Sequence, residues 1–201
     1  MNIAVVSGSH RPQSQSGKVA RFVVDRLHML GLNPYLLDLG RTPIPVWNED
    51  IWSQGVETWD PTWRDVSARL KNVDGLVIVS PEWSGMVPPL LKNFFLLCSN
   101  GELSHKPALI VGVTSGRSGS YPVAELRMSS YKNTKICYLP EHNIIRDVEH
   151  VLNGMASTST DDSETRKRLD YSLELLTLYA KALKPIRAEA VVAESPYPFG
   201  M

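Results

Sequence analysis

Three stretches of this chain, residues 3–6, 75–79 and 108–113, carry no polar side chain at all, and each runs into a polar loop followed by helical periodicity. A strand that is apolar on both faces must be covered on both faces, which forces a parallel sheet with helices above and below it. Two weaker strand patterns, residues 34–39 and 135–139, complete a set of five. Between them, Val19, Val23, Leu27 and Leu30 share one helical face ahead of Gly31. Trp63, Val66, Leu70 and Val73 share another behind Asp60-Pro61, an N-cap followed by a proline at the first helical position. Pro88-Pro89 opens a helix over 90–98, Pro122 opens one reaching about Tyr131, and Asp161 with Glu164 starts a last helix that ends at Lys184-Pro185. Residues 40–60 read as one long loop.

The strict β-α alternation predicts an α/β three-layer sandwich, flavodoxin-like, with strand order 2-1-3-4-5 and a ligand crevice beyond the C-terminal ends of strands 1, 3 and 4. At 201 residues the chain fits one domain, taken as residues 1–184, followed by a Pro- and Ala-rich segment, 185–201, read as a tail or an oligomer arm. Lys+Arg and Asp+Glu number 21 each, so the basic excess that nucleic acid or a membrane surface demands is missing. No apolar run approaches the roughly 20 residues of a bilayer span, and the first ten residues lack a basic leader. Cys98 and Cys137 are too few for a disulfide framework, and they, like His105, His142 and His150, lack metal-ligand spacing. A cytoplasmic protein without a metal is expected.

Three loops meet at the predicted crevice. The first, Ser7-Gly-Ser-His-Arg-Pro-Gln-Ser-Gln-Ser16, ends at a helix N-terminus, where free N–H groups and the helix dipole favour an anion. Ser9, Ser14, Gln15 and Ser16 offer donors to phosphate oxygens, and His10 and Arg11 add positive potential. Neither G-x-G-x-x-G nor a Walker A spacing is present. The second loop, residues 81–93, joins Glu82, Trp83, Ser84 and Gly85 at a strand end, the glycine permitting close approach of a flat ligand and the indole a stacking contact. The third, Thr114-Ser-Gly-Arg-Ser-Gly-Ser120, is small enough to leave backbone N–H groups exposed to a ring edge that gains negative charge.

These residues resemble the NADPH-dependent FMN reductases of the flavodoxin-like superfamily, which include quinone, azo-dye and chromate reductases. The family's Gly-Ser-x-Arg-x-x-Ser loop is matched by Gly8-Ser9-His10-Arg11 through Ser14 and Ser16. Its Pro-Glu-Tyr-Asn-Gly-Ser-x-Pro-Gly-x-Leu-Lys-Asn signature is matched from Pro81 to Asn93. Leu126-Arg127 and the Leu-Pro-Glu at 139–141 are also similar. The resemblance implies a 5′-phosphate site at Ser9, Arg11, Ser14 and Ser16, with Gln15 a further candidate. It implies flavin-ring contacts at Pro81, Glu82, Trp83, Ser84 and Gly85, and ring-edge contacts at Ser115 and Gly116. Trp83, Ser84 and Met86 stand where the family carries Tyr, Asn and Ser.

The activity so implied is FMN-dependent transfer of hydride from NADPH or NADH to a small acceptor such as a quinone, flavin, azo compound or metal oxyanion. The chemistry lies at flavin N5 and no catalytic side chain is named. A homodimer or homotetramer is expected. The alternative is an FMN-binding electron carrier or flavin sensor that does not turn over NADPH. A hydrolase is disfavoured, because no G-x-S-x-G elbow occurs and neither cysteine lies in an anion loop.

Overall fold

The computed structural model describes residues 1–197 and 199. Five strands, β1 (Asn2–Ser7), β2 (Asn33–Asp38), β3 (Gly75–Pro81), β4 (Pro107–Val113) and β5 (Cys137–Ile145), form one parallel sheet in the order β2-β1-β3-β4-β5. Every residue of β3 and β4 is buried, which is why these segments are apolar without alternation.

The period-2 geometry of each strand sends neighbouring side chains to opposite faces. Ile3 and Val5 pack with Val19, Val23 and Leu27 of α1 (Gln15–Met29) and with Leu169, Leu173 and Leu176 of α7 (Thr160–Ile186). Ala4 and Val6 face the other layer. That layer is built from α2 (Asp50–Gln54), α3 (Val56–Trp59), α4 (Pro61–Lys71), α5 (Pro89–Leu97) and α6 (Tyr121–Ser129). Trp63 and Phe94 are its largest fully buried side chains. Each side chain of this size contributes about 1.5–3 kcal/mol by leaving water.

The strand order agrees with the sequence reading, as does the start of α4, where Asp60 accepts the Trp63 N–H at 2.9 Å as the expected cap. Four boundaries differ. The fifth strand runs over Cys137–Ile145 and not 135–139, because Lys135 has φ +54°, outside the strand region. The strand then passes through Pro140, tolerated because β5 lies at the sheet edge. Residues 40–60 are not all loop, since α2 and α3 lie within them.

The last helix is capped by Ser159, whose Oγ accepts the Asp162 N–H at 3.1 Å, and not by Asp161. It also continues past Pro185, which removes only its own donor. The N–H groups of Arg187 and Ala188 close the turn on Leu183 O (3.4 Å) and Pro185 O (3.0 Å). A short α8 (Ala190–Ala193) follows; Pro198, Gly200 and Met201 of the expected tail lie outside the described residues. Among the described residues no helix is long and apolar enough to cross a membrane.

Candidate functional site

At the C-terminal edge of the sheet a cleft of about 1050 Å³ opens between the loops that follow β1, β3 and β4. Every residue expected at the site lines it except Gly85 and Gly116, which adjoin the wall without contributing to it. The three loops that the sequence placed at one edge therefore do form one cavity.

The first loop reaches the cleft through a tight crossover. Gly8 donates its N–H to Val79 O at 2.8 Å, and a Cβ there would stand 2.5 Å from Leu91 Cδ2 and 3.1 Å from Val79 O, so a larger residue would have to displace Leu91. Ser14 is the N-cap of α1, its Oγ accepting the Gly17 N–H at 2.9 Å. The N–H groups of Gln15 and Ser16, at the first two positions of the helix, have no intrahelical partner and lie in the cleft wall. Ser9 and Ser16 are buried hydroxyls beside them, and Arg11 is exposed at the mouth. Free amides, hydroxyls, one guanidinium and a helix dipole make this end suited to an anion.

The second loop turns sharply. Trp83 and Met86 exchange backbone hydrogen bonds (3.0 and 2.9 Å) across Ser84 and Gly85, which have φ of +51° and +73°, the signs of a type I′ turn. The Trp83 indole closes against the first loop, with the His10 ring edge-on at 4.4 Å and the Arg11 guanidinium 5.0 Å from its centroid.

Glu82 lines the cleft, and its carboxylate is also engaged within the protein. Its carboxylate accepts the N–H groups of Gly119 (2.8 Å) and Tyr121 (3.3 Å) and the Ser118 hydroxyl. Ser120 provides no side-chain cap for α6, so Glu82 caps that helix from another strand while lining the cleft. The third loop is narrowed by sterics: a Cβ on Gly112 would meet Gly119 O at 2.5 Å. The Gly116 N–H donates to its own loop, to Thr114 Oγ1 at 3.2 Å, while Ser115 faces the cleft.

Several lining residues were not expected. Val148 and Glu149 follow β5, and the misplaced end of that strand hid them. Lys18 tethers this segment through Val151 O (2.9 Å), Asn153 Oδ1 (2.6 Å) and Val148 O. Burial lowers its pKa, with Asp162 and Glu149 opposing. Arg21 and Arg41 also line the wall; Arg41 follows β2, which borders β1 in the sheet, so the strand order itself was the available signal. Lys92 turns away and pairs with Glu125 at 2.6 Å, beside a separate cavity of about 410 Å³. Among the described residues no three His, Cys, Asp or Glu side chains are grouped to hold a metal.

Residues 1–149 match the family model described as NADPH-dependent FMN reductase. A quinone reductase of Pseudomonas putida strain KT2440 is 32% identical over 124 residues, 60% of this chain and 63% of that protein, so the match spans less than two thirds of that relative. An NADPH azoreductase of Bacillus sp. strain OY1-2 is 23% identical over 77% of this chain and 81% of its own length. Among solved structures, the Paracoccus denitrificans flavoenzyme FerB, an NAD(P)H:(acceptor) oxidoreductase, superposes with a TM-score of 0.72 at 20% identity, covering 90% of this chain and 98% of that one.

Proposed function

The chain belongs to the NADPH-dependent FMN reductase family, and we propose that it binds FMN and uses it to pass reducing equivalents from NADPH or NADH to a small acceptor. The reading rests on one observation: the capped N-terminus of α1 and the Trp83-Ser84 side of the second loop face a common cleft. The donor set fits the group. Ser9, Ser14 and Ser16 offer hydroxyls and Gln15 and Ser16 offer amides, while Arg11 adds the charge a phosphate dianion requires.

When bound, FMN supplies the redox chemistry, taking hydride from the nicotinamide and delivering it to the acceptor. The chain's part is placement. Pro81, Trp83 and Ser84 would border the ring, and the side-chain-free Gly85 leaves its approach open, with only Tyr121 Cγ as near as 4.0 Å to a Cβ built there. Ser115 would meet the ring edge, with Gly116 shaping its loop. Glu82 holds the second and third loops in register, its carboxylate oxygens occupied as acceptors, and no side chain is assigned proton transfer.

Exposed Met86, Leu96, Tyr121 and Met128 on and beside α5 and α6 support a homodimer through this face, and the segment after Pro185 is a second candidate arm. A nicotinamide donor and two free thiols are in keeping with a cytoplasmic setting. The test is direct. The purified chain, reconstituted with FMN, should be yellow and release FMN on denaturation, and NADPH should bleach it rapidly in stopped flow. A colourless chain that takes up no FMN refutes the reading, and a yellow one that NADPH does not bleach is a carrier.

A further inference from the structure

The same cleft has a second basic wall, apart from the residues proposed for the flavin phosphate. β2 ends at Asp38, a buried carboxylate (6% exposed) that accepts the Gly40 N–H at 3.2 Å. Arg21, from the second turn of α1, and Arg41, from the loop behind β2, each approach this one carboxylate to 3.8 Å, their side chains 49% and 63% exposed. That distance is beyond hydrogen bonding, so neither guanidinium commits an N–H to Asp38. One carboxylate also cannot neutralise two guanidinium groups.

The loop presenting Arg41 is well fixed. The N–H groups of Arg41 and Thr42 both donate to Asp38 O (2.9 and 2.8 Å), and a Cβ on Gly40 would stand 2.4 Å from Arg11 O. The β2 loop is therefore packed onto the backbone of the first loop, and Arg41 sits one step outward from the proposed flavin-phosphate site.

That step has a counterpart in dinucleotide-binding sheets. There the nucleotide's own pyrophosphate sits at the first helix N-terminus, and the end of the adjacent strand meets its ribose, an acidic side chain at the hydroxyl or an arginine at the phosphate; here the α1 N-terminus and the Asp38–Arg41 loop occupy those two places. A phosphate on α1 is already served by helix amides, hydroxyls and Arg11, so Arg21 and Arg41 are surplus to it.

We propose that Arg21 and Arg41, both beside Asp38, form a second phosphate subsite that takes the ribose-linked phosphate of a nucleotide beside the flavin phosphate; this rests on the FMN reading above. Two ligands carry that chemistry here: the 2′-phosphate of NADPH and the adenylate phosphate of FAD.

Calorimetric titration of the full chain with 2′-phospho-AMP and with AMP, flavin-loaded and flavin-free, addresses the first source. Competition of FAD against FMN for the flavin-free protein addresses the second. A preference of about tenfold for the 2′-phosphorylated nucleotide, lost in Arg21→Gln and Arg41→Gln while FMN remains bound through gel filtration, supports the subsite and assigns it to NADPH. A preference of similar size for FAD over FMN, lost in the same variants, supports it and assigns it to FAD.

Absence of both preferences overturns the proposal. So does loss of FMN itself from variants with unchanged circular dichroism, which would place both arginines in the flavin-phosphate site. A parent chain that refuses FMN yet still prefers 2′-phospho-AMP refutes the flavin assignment and leaves the subsite standing.

Discussion

The carboxylate of Glu82, at the end of β3, accepts the backbone N–H of Gly119, ahead of α6, at 2.8 Å. Two loops that are 37 residues apart in the chain are thereby locked into one wall. Replacing Glu82 by Ala should remove the only side-chain cap that α6 has among the described residues and cost about 1–2 kcal/mol, read from the urea midpoint. Glu82→Gln, which keeps one acceptor oxygen, should recover about half of the loss.

Two glycines of the site should respond differently to alanine. Gly85 has φ +73° but open space for a Cβ, so Gly85→Ala meets only the conformational penalty of about 1 kcal/mol. Gly112 lies in β4, where the new methyl would press to 2.5 Å on Gly119 O, and Gly112→Ala should cost about 2–3 kcal/mol. Ser84 at φ +51° pays a similar penalty already, so Ser84→Asn is expected to stabilise by on the order of 0.5 kcal/mol, since Asn tolerates this conformation. Equal losses at the two glycines in chemical denaturation would contradict this account.

Asp162 is the staple of the segment that walls the cleft through Val148 and Glu149. It is fully buried, accepts the N–H groups of Leu152 (2.9 Å) and Thr158 (3.1 Å), and pairs with Arg166 at 2.9 Å. Burial alone would raise its pKa, but the Arg166 and backbone hydrogen bonds hold it below the usual carboxylate value. Asp162→Ala strands the Arg166 charge and should cost about 3–5 kcal/mol. Limited proteolysis should then cut first within residues 146–159.

Far from the cleft, Lys106 is almost fully buried, with Nζ on the carbonyls of Leu70 (2.6 Å), Lys71 (2.9 Å) and Glu102 (2.8 Å), and so caps the C-terminus of α4. Burial, helped by the charge of Arg187, pushes its pKa from 10.5 down to about 8. Between those values the unfolded chain binds the extra proton, so the contribution of this amine to stability rises as pH climbs from about 8 to 10.5 and is lowest below 8. The difference in urea midpoint between pH 7.5 and 9.5 should therefore be more positive in the parent than in Lys106→Met. An identical difference in both proteins would exclude Lys106 as its source.

Periodicity was enough to place β1, β3 and β4 and the helices after them, because a doubly covered strand admits almost no polar residue. The end of β5 was not legible: Pro140, Glu141 and His142 look like a loop. They hold strand geometry at an edge where Arg127, from α6, takes the carbonyls of Leu139 (2.5 Å) and Pro140 (2.9 Å). That single misplacement hid the 148–149 wall.

From the order of residues alone came the sheet, the phosphate-suited start of α1 and the gathering of three polar loops at one edge, each governed by local propensity and burial. Only the folded chain decided that Glu82 caps a distant helix, that Lys18 ties down the loop after β5, and that Arg21 and Arg41 share Asp38. These are contacts between side chains remote in sequence, and their geometry exists only once the sheet has brought its strand ends together.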